Sequence, residues 1–316
     1  MKLKALSHYD ADMDTRFGDC ILIYDTNTLV IFDCGHTRHA KEVETFLSDN
    51  SSIRSIYIVV SHNDSDHTDG VCTLLDWLSI QGQYTVAVYT HQYLKYVDII
   101  LDKVDDGRRN RESLKKALLE EFDHIDEIIA CAKEHGFSTL EAAKNVSVGQ
   151  CKIVGPTEDE FTDVAAKAVD NREGNTIGTG DGAETVMNAA SVQLKCPLDD
   201  GQDVLLCGDA SPDYLKNLDS YDVIQLPHHG QLDDAKAIFN ALRDPDSKTF
   251  LISDNTGSGK TSGGSLKLKE FMANERYKAA LNTQSGVISL PKTRISVGYP
   301  GKSQGVKLGG MDCKYR

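Results

Sequence analysis

The sequence has no uninterrupted run of about 18 apolar residues, the length that a helix needs to span a bilayer. Its first residues, Met1 to His8, also lack the apolar stretch of a secretory signal. These two absences predict a cytoplasmic protein that makes no contact with a membrane. Hydrophobic residues make up 40% of the 316 residues and charged residues 26%, the proportions of an ordinary folded protein with a full core.

The eight cysteines form no C-x-x-C pair, which argues against a zinc site made of cysteines. Most of them lie in apolar runs, as Cys207 does after Leu205 and Leu206, where a thiol packs as a small hydrophobic group. We therefore expect buried, reduced cysteines, in keeping with a reducing cytoplasm.

Positive charge is scarce, since 34 Lys and Arg residues stand against 48 Asp and Glu residues. The resulting net charge of −14 argues weakly against a nucleic-acid substrate, because bulk charge would repel it. Basic residues still cluster in two stretches. The first stretch contains Lys103, Arg108, Arg109, Arg111, Lys115 and Lys116, and the second contains Lys292, Arg294, Lys302, Lys307, Lys314 and Arg316. The first stretch is either a solvated helix face or a patch that contacts phosphates.

The spacing of apolar residues predicts strands that alternate with helices. Two short apolar runs, Cys20 to Tyr24 and Thr28 to Phe32, flank a turn sequence and predict a hairpin. Ile53 to Val60 predicts a buried strand. Residues 92–146 have helical spacing and predict a helical insertion, whereas the glycine-rich residues 171–185 predict a loop. No linker divides the chain, so we predict a single domain over residues 1–316.

Residues of the metal-ligand type follow three of the predicted strands. Divalent metals need imidazole nitrogens and carboxylate oxygens from several segments, and strand ends are the usual place for chemistry in an α/β sheet. Alternate residues of an extended segment point the same way, so His62 and Asp64 can share one metal. Asp66 and His67 can then turn toward a second metal. The predicted ligands are His62, Asp64, Asp66, His67, Asp209, His228 and His229.

These motifs resemble those of metallo-β-lactamase-fold hydrolases. The residues 62–67, His-Asn-Asp-Ser-Asp-His, are similar to the H-x-D-x-D-H variant in the hydrolase domain of ComEC, the DNA-uptake channel protein. Leu226 to Gly230 closely matches the V-P-H-H-G of the ComEC group. Residues 17–20 look like the G-x-G-D segment near the start of the ComEC domain, and residues 31–35 look like the first motif of the superfamily. The resemblance implies an α/β fold, a four-layer αββα sandwich. It also implies that Asp33 buttresses the metal site and that Asp209 bridges two metals.

The sequence departs from the superfamily pattern at three places. The third motif usually supplies a histidine before the bridging aspartate, but Asn188 stands here, as in the ComEC group. One metal would then have His62, Asp64 and Asp209 as its protein ligands. Gln231 follows His-His-Gly where the group usually has serine, and residues 255–262 replace the usual G-H-P.

The segment Gly257 to Thr261 ends like a phosphate-binding P-loop. A Walker motif needs glycine at position 254, where this chain has Asp254, so we reject that interpretation. Lys260 remains a candidate for contact with a substrate phosphate.

The resemblance implies a metal-dependent hydrolase that uses a hydroxide activated by two divalent ions, Zn2+ or Mn2+, on DNA or another phosphodiester. Asp66 would orient the hydroxide. Whichever of His228 and His229 binds no metal would protonate the leaving group, and His228 is the slightly favoured ligand.

Two other functions remain open, because one fold can host many different reactions. They are a hydrolase of a small ester, lactone or lactam, and a regulatory or interaction module that kept the fold. The expected partner is a nucleic acid or a small phosphodiester substrate. A partner protein, such as an ATPase of genome defence, is a guess without support in the sequence, and the oligomeric state is open.

Overall fold

The computed structural model of the chain describes residues 1–6, 18–104, 110–173, 186–253 and 266–292. Within these ranges, the strands form two sheets of seven strands each. Both sheets are mixed, with one antiparallel half and one parallel half. The parallel halves matter most for the site, because the carboxyl ends of parallel strands meet at one edge.

The first sheet contains the hairpin and the strand before residues 62–67, which we call the His62 motif. Its strands are β1 (Lys2–Ala5), β2 (Ile21–Tyr24), β3 (Thr28–Phe32), β4 (Ser55–Val59), β5 (Thr85–Thr90), β6 (Ser138–Glu141) and β14 (Ile288–Leu290). They lie in the order β14-β1-β2-β3-β4-β5-β6. Pairing is antiparallel from β14 to β3 and parallel from β3 to β6.

The second sheet contains the strands before Asp209 and before the two adjacent histidines. Its strands are β7 (Ser147–Val148), β8 (Cys151–Gly155), β9 (Gln193–Pro197), β10 (Asp203–Leu206), β11 (Val223–Gln225), β12 (Thr249–Ile252) and β13 (Leu281–Asn282). Their order is the reverse of the chain order, β13-β12-β11-β10-β9-β8-β7. Pairing is antiparallel from β7 to β10 and parallel from β10 to β13.

Helices pack on the outer faces of both sheets. They are α1 (Thr37–Asp49), α2 (Ser65–Thr68), α3 (Val71–Gln81), α4 (Val97–Lys103), α5 (Arg111–Glu121), α6 (Asp123–Glu134), α7 (Glu158–Glu173), α8 (Pro227–Gly230), α9 (Leu232–Ala241) and α10 (Leu266–Asn274). None of the helices in the described ranges is both long and apolar enough to cross a membrane.

The alternation of side chains along the strands divides the core into layers. In β3, Val30 and Phe32 pack in the cluster between the sheets, whereas Leu29 and Ile31 pack with α1 and α3. On the second sheet, the outer cluster contains residues of β10 to β12 with α9 and α10. The layers are therefore helix, sheet, sheet and helix, which confirms the predicted four-layer αββα sandwich.

Most predicted elements near the site are confirmed. The hairpin is β2 and β3, paired with Ile21 opposite Phe32, and the buried strand before His62 is β4. The seven cysteines in the described ranges are free, and five of them are buried.

Two predicted boundaries need correction or lie outside the described ranges. Residues 92–146 contain α4, α5 and α6 but also β6, an edge strand of the first sheet; that they form an insertion stays a prediction. The prediction of a loop over 171–185 is wrong for residues 171–173, because α7 continues to Glu173. Residues 174–185 lie outside the described ranges.

Candidate metal centre

The carboxyl ends of strands from both sheets meet at one cluster of histidines and aspartates. From the first sheet, β4 leads into the His62 motif, whose second half is α2. From the second sheet, β10 leads to Asp209, and β11 leads to the pair His228 and His229. The three segments are far apart in the sequence, so packing of the two sheets brings them together.

Asp209 lies at the middle of this cluster, 3% exposed. Its Oδ1 is 3.5 Å from His67 Nε2. Its Oδ2 is 3.9 Å from His62 Nε2, 3.8 Å from His228 Nε2 and 3.9 Å from His229 Nε2. Four imidazoles from two sheets therefore point one nitrogen each at a single carboxylate.

These separations fit a cation better than hydrogen bonds. They exceed the usual range for a hydrogen bond, and His62 Nε2, His67 Nε2 and Asp209 Oδ1 have no hydrogen-bond partner among the described residues. Two ligands at about 2.05 Å from a shared tetrahedral metal lie about 3.3 Å apart. Buried polar atoms without partners are costly, and bound divalent cations would satisfy all three.

Asp33 and Ser61 hold two of the imidazoles in place. Ser61 donates its backbone N–H to Asp33 Oδ1 and its hydroxyl to Asp33 Oδ2, both at 2.7 Å. Since that hydroxyl proton is used, Ser61 Oγ accepts from His62 Nδ1 at 2.9 Å. His67 Nδ1 donates to Asp33 Oδ2 at 2.9 Å. Both histidines thus turn their Nε2 atoms toward Asp209, the arrangement of metal-binding imidazoles.

His229 is oriented in the same way from the second sheet. Its Nδ1 donates to the carbonyl of Ser253 at 2.8 Å and lies 3.3 Å from Asp19 Oδ1. Its Nε2 is 3.1 Å from Asp66 Oδ2. His229 is 5% exposed, so it lies in the deep part of the centre together with Asp66 and His67.

Asp19 and Gln225 are members of the site that the sequence motifs did not single out. Gln225 donates to Asp19 Oδ2 at 2.5 Å and accepts from the backbone N–H groups of Cys207 and Gly208. It therefore ties the start of the Asp209 loop to the first sheet. The signal for Asp19 was present, since residues 17–20 resemble a family motif, but nothing in the local sequence of Gln225 indicates this role.

Asn188, which the sequence analysis singled out, lies beside Asp64. It is 2% exposed and donates from Nδ2 to Asp64 Oδ2 at 2.8 Å. The same Asp64 oxygen lies 3.7 Å from His62 Nε2. Asn188 therefore orients the Asp64 carboxylate toward His62.

The two adjacent histidines adopt a rare backbone conformation. They lie within the short α8, but the φ angles of His228 and His229 are 54° and 53° and are not those of a right-handed helix. This left-handed region costs a non-glycine residue about 1 kcal/mol or more, and such strain concentrates at functional sites. The side chain of His228 is 21% exposed, so it lies nearer the surface than the buried His229.

The carboxylates and imidazoles of the cluster shift one another's pKa values strongly. Burial acts to lower the pKa of His67, but Asp209 and Asp33 outweigh it and raise that pKa well above 6.5. Burial likewise opposes the rise in the pKa of His229, which Asp209 and Asp19 cause. Burial would raise the pKa of Asp209, but His229 and His67 hold it well below 3.8. Protons on His67 and His229 balance the carboxylates here, and divalent cations would replace them.

The wall beside the His62 motif is polar and comes from α6. Asn63 donates to Asp123 Oδ1 at 2.9 Å and accepts from the Ile125 N–H at 2.9 Å. His124 Nδ1 donates to the carbonyl of Asn63 at 2.8 Å. The amino end of α6 therefore holds the loop that carries the ligands.

Of the predicted phosphate contacts, some lie outside the described ranges and others pair with carboxylates. Lys260 lies outside the described ranges, as do Arg108, Arg109 and the basic residues after Lys292. Lys103 pairs with Asp163 at 2.6 Å, and Arg111 pairs with Asp98 at 2.7 Å. These pairs favour the solvated helix face over a phosphate-binding patch.

Comparisons with known proteins find similar solved structures but no matching family profile or curated protein. No family profile matches the sequence, and no curated protein matches it. Solved structures that match include the metallo-β-lactamase-fold protein YhfI from Bacillus subtilis, at 11% identity, a TM-score of 0.45, and 89% of this chain against 95% of that chain. Human tRNase Z, short form, matches at 14% identity, a TM-score of 0.39, and 92% of this chain against 100% of that chain.

A long-form RNase Z from yeast also matches, at 12% identity and a TM-score of 0.41, over 87% of this chain and 40% of that chain. The identities and TM-scores of all three matches are low, and the two sheets and four layers described above define the fold of this chain.

Proposed function

We propose that this protein is a metal-dependent hydrolase that cleaves phosphodiesters, with DNA as the first candidate substrate. The observation that carries the proposal is the convergence of four imidazole Nε2 atoms on Asp209 at 3.5 to 3.9 Å. The ComEC-like motif set, with aspartate at position 64 and asparagine at position 188, supports the choice of a phosphodiester.

Two divalent cations fit this set of donors. His62, Asp64 and Asp209 would hold one of them, and Asp66, His67, His229 and Asp209 would hold the other. When bound, the cations would supply Lewis acidity toward phosphoryl oxygens and toward water. The carboxylates make the donor set hard, so manganese is as suitable as zinc.

The residues of the chain provide orientation and proton transfer. Asp66 belongs to the His62 motif, and its Oδ2 lies 3.1 Å from His229 Nε2, where the carboxylate can orient an attacking water. The burial of His229 favours it as the ligand of the pair, in place of His228. His228 is partly exposed, lies 3.8 Å from Asp234 Oδ2 on the side away from Asp209, and is placed to protonate a leaving oxygen.

Hydrolysis of a small ester, lactone or lactam is the second candidate. The polar wall of Asn63, Asp123 and His124 beside the metal loop favours a polar or charged substrate over an apolar one. This observation supports a phosphodiester, although the net charge of −14 works against long-range attraction of nucleic acid.

The proposal is tested by metal-dependent turnover. Protein stripped with chelator is reloaded with Mn2+ or Zn2+ and assayed on single-stranded DNA, duplex DNA, bis-p-nitrophenyl phosphate, a p-nitrophenyl ester and a chromogenic β-lactam. We expect cleavage of phosphodiesters only with metal. Asp209→Asn should lower the rate by more than about 100-fold, beyond what changes in outer-shell residues cost.

The matched control is Asp203→Asn, at the opposite end of β10. Asp203 pairs with Lys195 at 2.7 Å on the surface, so its loss should leave turnover unchanged. Cleavage of only the small diester would narrow the substrate to small phosphodiesters. Turnover of only the ester or lactam would overturn the phosphodiester proposal, and two bound metals without any turnover would favour a regulatory module. A chain that binds no metal would overturn the metal centre itself.

A further inference from the structure

A second group of metal-ligand side chains lies between α3 and α6, away from the centre around Asp209. Cys72 and Asp76 are four residues apart on α3, and Cys131 and His135 are four residues apart at the end of α6. Residues four apart lie on one face of a helix, so each helix presents two donors to its neighbour.

The donor atoms are close together. His135 Nε2 is 2.7 Å from Asp76 Oδ1, and one donor atom each of Asp76, Cys131 and His135 lies within 4.8 Å of the others. Cys131 Sγ is 4.0 Å from the carbonyl of Cys72, and both thiols are free. Ligands of a tetrahedral zinc ion lie about 3.5 Å apart, so shifts of about 1 Å in the side chains would close the site.

We propose that Cys72, Asp76, Cys131 and His135 form a structural zinc site that joins α3 to α6. Two sulfurs, one nitrogen and one oxygen suit zinc and exclude magnesium and calcium, which take oxygen ligands. The proposal departs from our expectation that the cysteines would bind no zinc. That expectation used the C-x-x-C spacing, whereas these cysteines lie 59 residues apart and meet only through helix packing.

Another pair of neighbouring thiols among the described residues lies in the core, out of reach of an ion from the surface. Cys151 and Cys196 also lie against each other, but both are fully buried in the core between the sheets. The thiols of Cys72 and Cys131 are only partly buried, so an ion can reach them from the surface. His135 is 21% exposed and Asp76 is 65% exposed, which places the open side of the site at those two residues.

Binding would release protons from the thiols to the solvent. Burial, together with the neighbouring Cys131, raises the pKa of Cys72 to about 12, and burial also raises the pKa of Cys131. The metal-free thiols are therefore protonated at neutral pH, and zinc must displace these protons. Affinity for zinc should accordingly increase with pH.

The site has a structural purpose that follows from the two ends of α6. Its amino end holds Asn63 of the ligand-bearing loop through Asp123 and Ile125. Its carboxyl end carries Cys131 and leads to His135. Zinc at this end would fix α6 against α3 and would thereby fix the wall of the metal centre. The inference concerns a separate site and does not depend on the proposed function.

Cobalt distinguishes the two sites. The centre around Asp209 offers only nitrogen and oxygen donors, so an absorption band from thiolate to Co2+ charge transfer reports on the cysteines alone. Metal-stripped, fully reduced full-length protein is titrated with Co2+. We expect the band to appear as Co2+ is added, and to weaken by about half in Cys131→Ser and in Cys72→Ser, since each variant loses one of the two thiolates.

Three further variants make the result decisive. His135→Ala, at a partly exposed position, should shift the cobalt titration to weaker binding even if Cys131→Ser fails to fold. Asp209→Asn should keep the band, and so should Cys151→Ala, which removes a thiol from the core. Absence of the band in the reduced wild-type protein, an undiminished band in Cys131→Ser, or a disulfide between Cys72 and Cys131 in the purified chain would overturn the proposal.

Discussion

Ser61 is a buried hydroxyl that contacts three side chains of the metal centre and binds no metal itself. It donates to Asp33 and accepts from His62, and its Oγ lies 3.4 Å from His67 Nδ1. Ser61→Ala leaves His62 Nδ1 without its acceptor, so the imidazole loses both its orientation and its preferred tautomer. We expect metal affinity to fall about 10- to 100-fold, measured by competition with a chromophoric chelator.

The control for this variant is Thr162→Val in α7. Thr162 is also fully buried, but its hydroxyl donates to a backbone carbonyl of its own helix and accepts from Lys103. Its loss should change stability and leave metal affinity as it was. Equal weakening in the two variants would mean that Ser61 acts through general stability and not through His62.

His91 gives a pH dependence to folding that can be measured apart from the metal centre. Burial lowers the pKa of His91 to about 4, and a hydrogen bond to the carbonyl of Ala190 opposes this only in part. The unfolded chain binds this proton near pH 6.5 and the folded chain only near pH 4. Stability therefore falls as the pH decreases through this window and recovers above it.

The size of this effect follows from the difference between a pKa of about 4 in the folded chain and 6.5 in the unfolded chain, worth about 3 kcal/mol. His91→Gln keeps a donor for Ala190 and cannot titrate. Between pH 7.5 and pH 4.5, the wild-type free energy of unfolding in urea should decrease by about 2 to 3 kcal/mol more than that of the variant. Equal decreases would show that His91 is solvated or charged in the folded protein.

At the scale of elements, the short segment before β2 packs against the backbone of α2, which carries Asp66 and His67 of the site. Gly18 has a φ of +67°, and a Cβ there would lie 1.5 Å from the carbonyl oxygen of Asp66. This contact lets Asp19 donate its N–H to the same carbonyl at 2.9 Å. Gly18→Ala should push the segment away from α2 and destabilise the protein by about 3 kcal/mol in urea unfolding.

Gly201→Ala separates the strain of the left-handed backbone at Gly18 from the close approach of Gly18 to Asp66. Gly201 has a φ of +84°, and nothing lies within 4 Å of its added Cβ. It therefore shows only the cost of the left-handed backbone, about 1 kcal/mol. If Gly18→Ala costs no more than Gly201→Ala, the close approach to Asp66 has no energetic importance.

Elements whose boundaries depend on local signals were predictable. The turn at Asp25 to Asn27 fixes the hairpin because Asp25 accepts from the N–H groups of Asn27 and Thr28. The start of α7 was equally readable but was not predicted. Thr157 and Glu160 form a capping box there, with each side chain bonded to the other's backbone N–H.

At the scale of the whole molecule, the metal centre lies at the junction of the two sheets. The first sheet supplies the His62 motif, and the second supplies Asp209 and the two adjacent histidines. Gln225 of β11 joins Asp19 of the first sheet across the same junction. The site therefore forms only when both sheets are in place, and bound cations would stabilise their association as well as the local loops.

The sequence alone determined the types of ligand and the strands that carry them. Both are local properties, because hydrophobic periodicity defines a strand and the motif follows directly at its end. The family resemblance added the four-layer sandwich and the supporting positions Asp33 and Asn188. These parts could be predicted without knowing how any two segments pack.

Only the tertiary structure decided which nitrogen faces which oxygen. Three contacts join residues from distant segments. His229 and Asp66 are 163 positions apart in the sequence, Gln225 and Asp19 are 206 positions apart, and Cys72 and Cys131 are 59 positions apart. Such contacts depend on how sheets and helices pack against each other, and no periodicity within a segment encodes that packing.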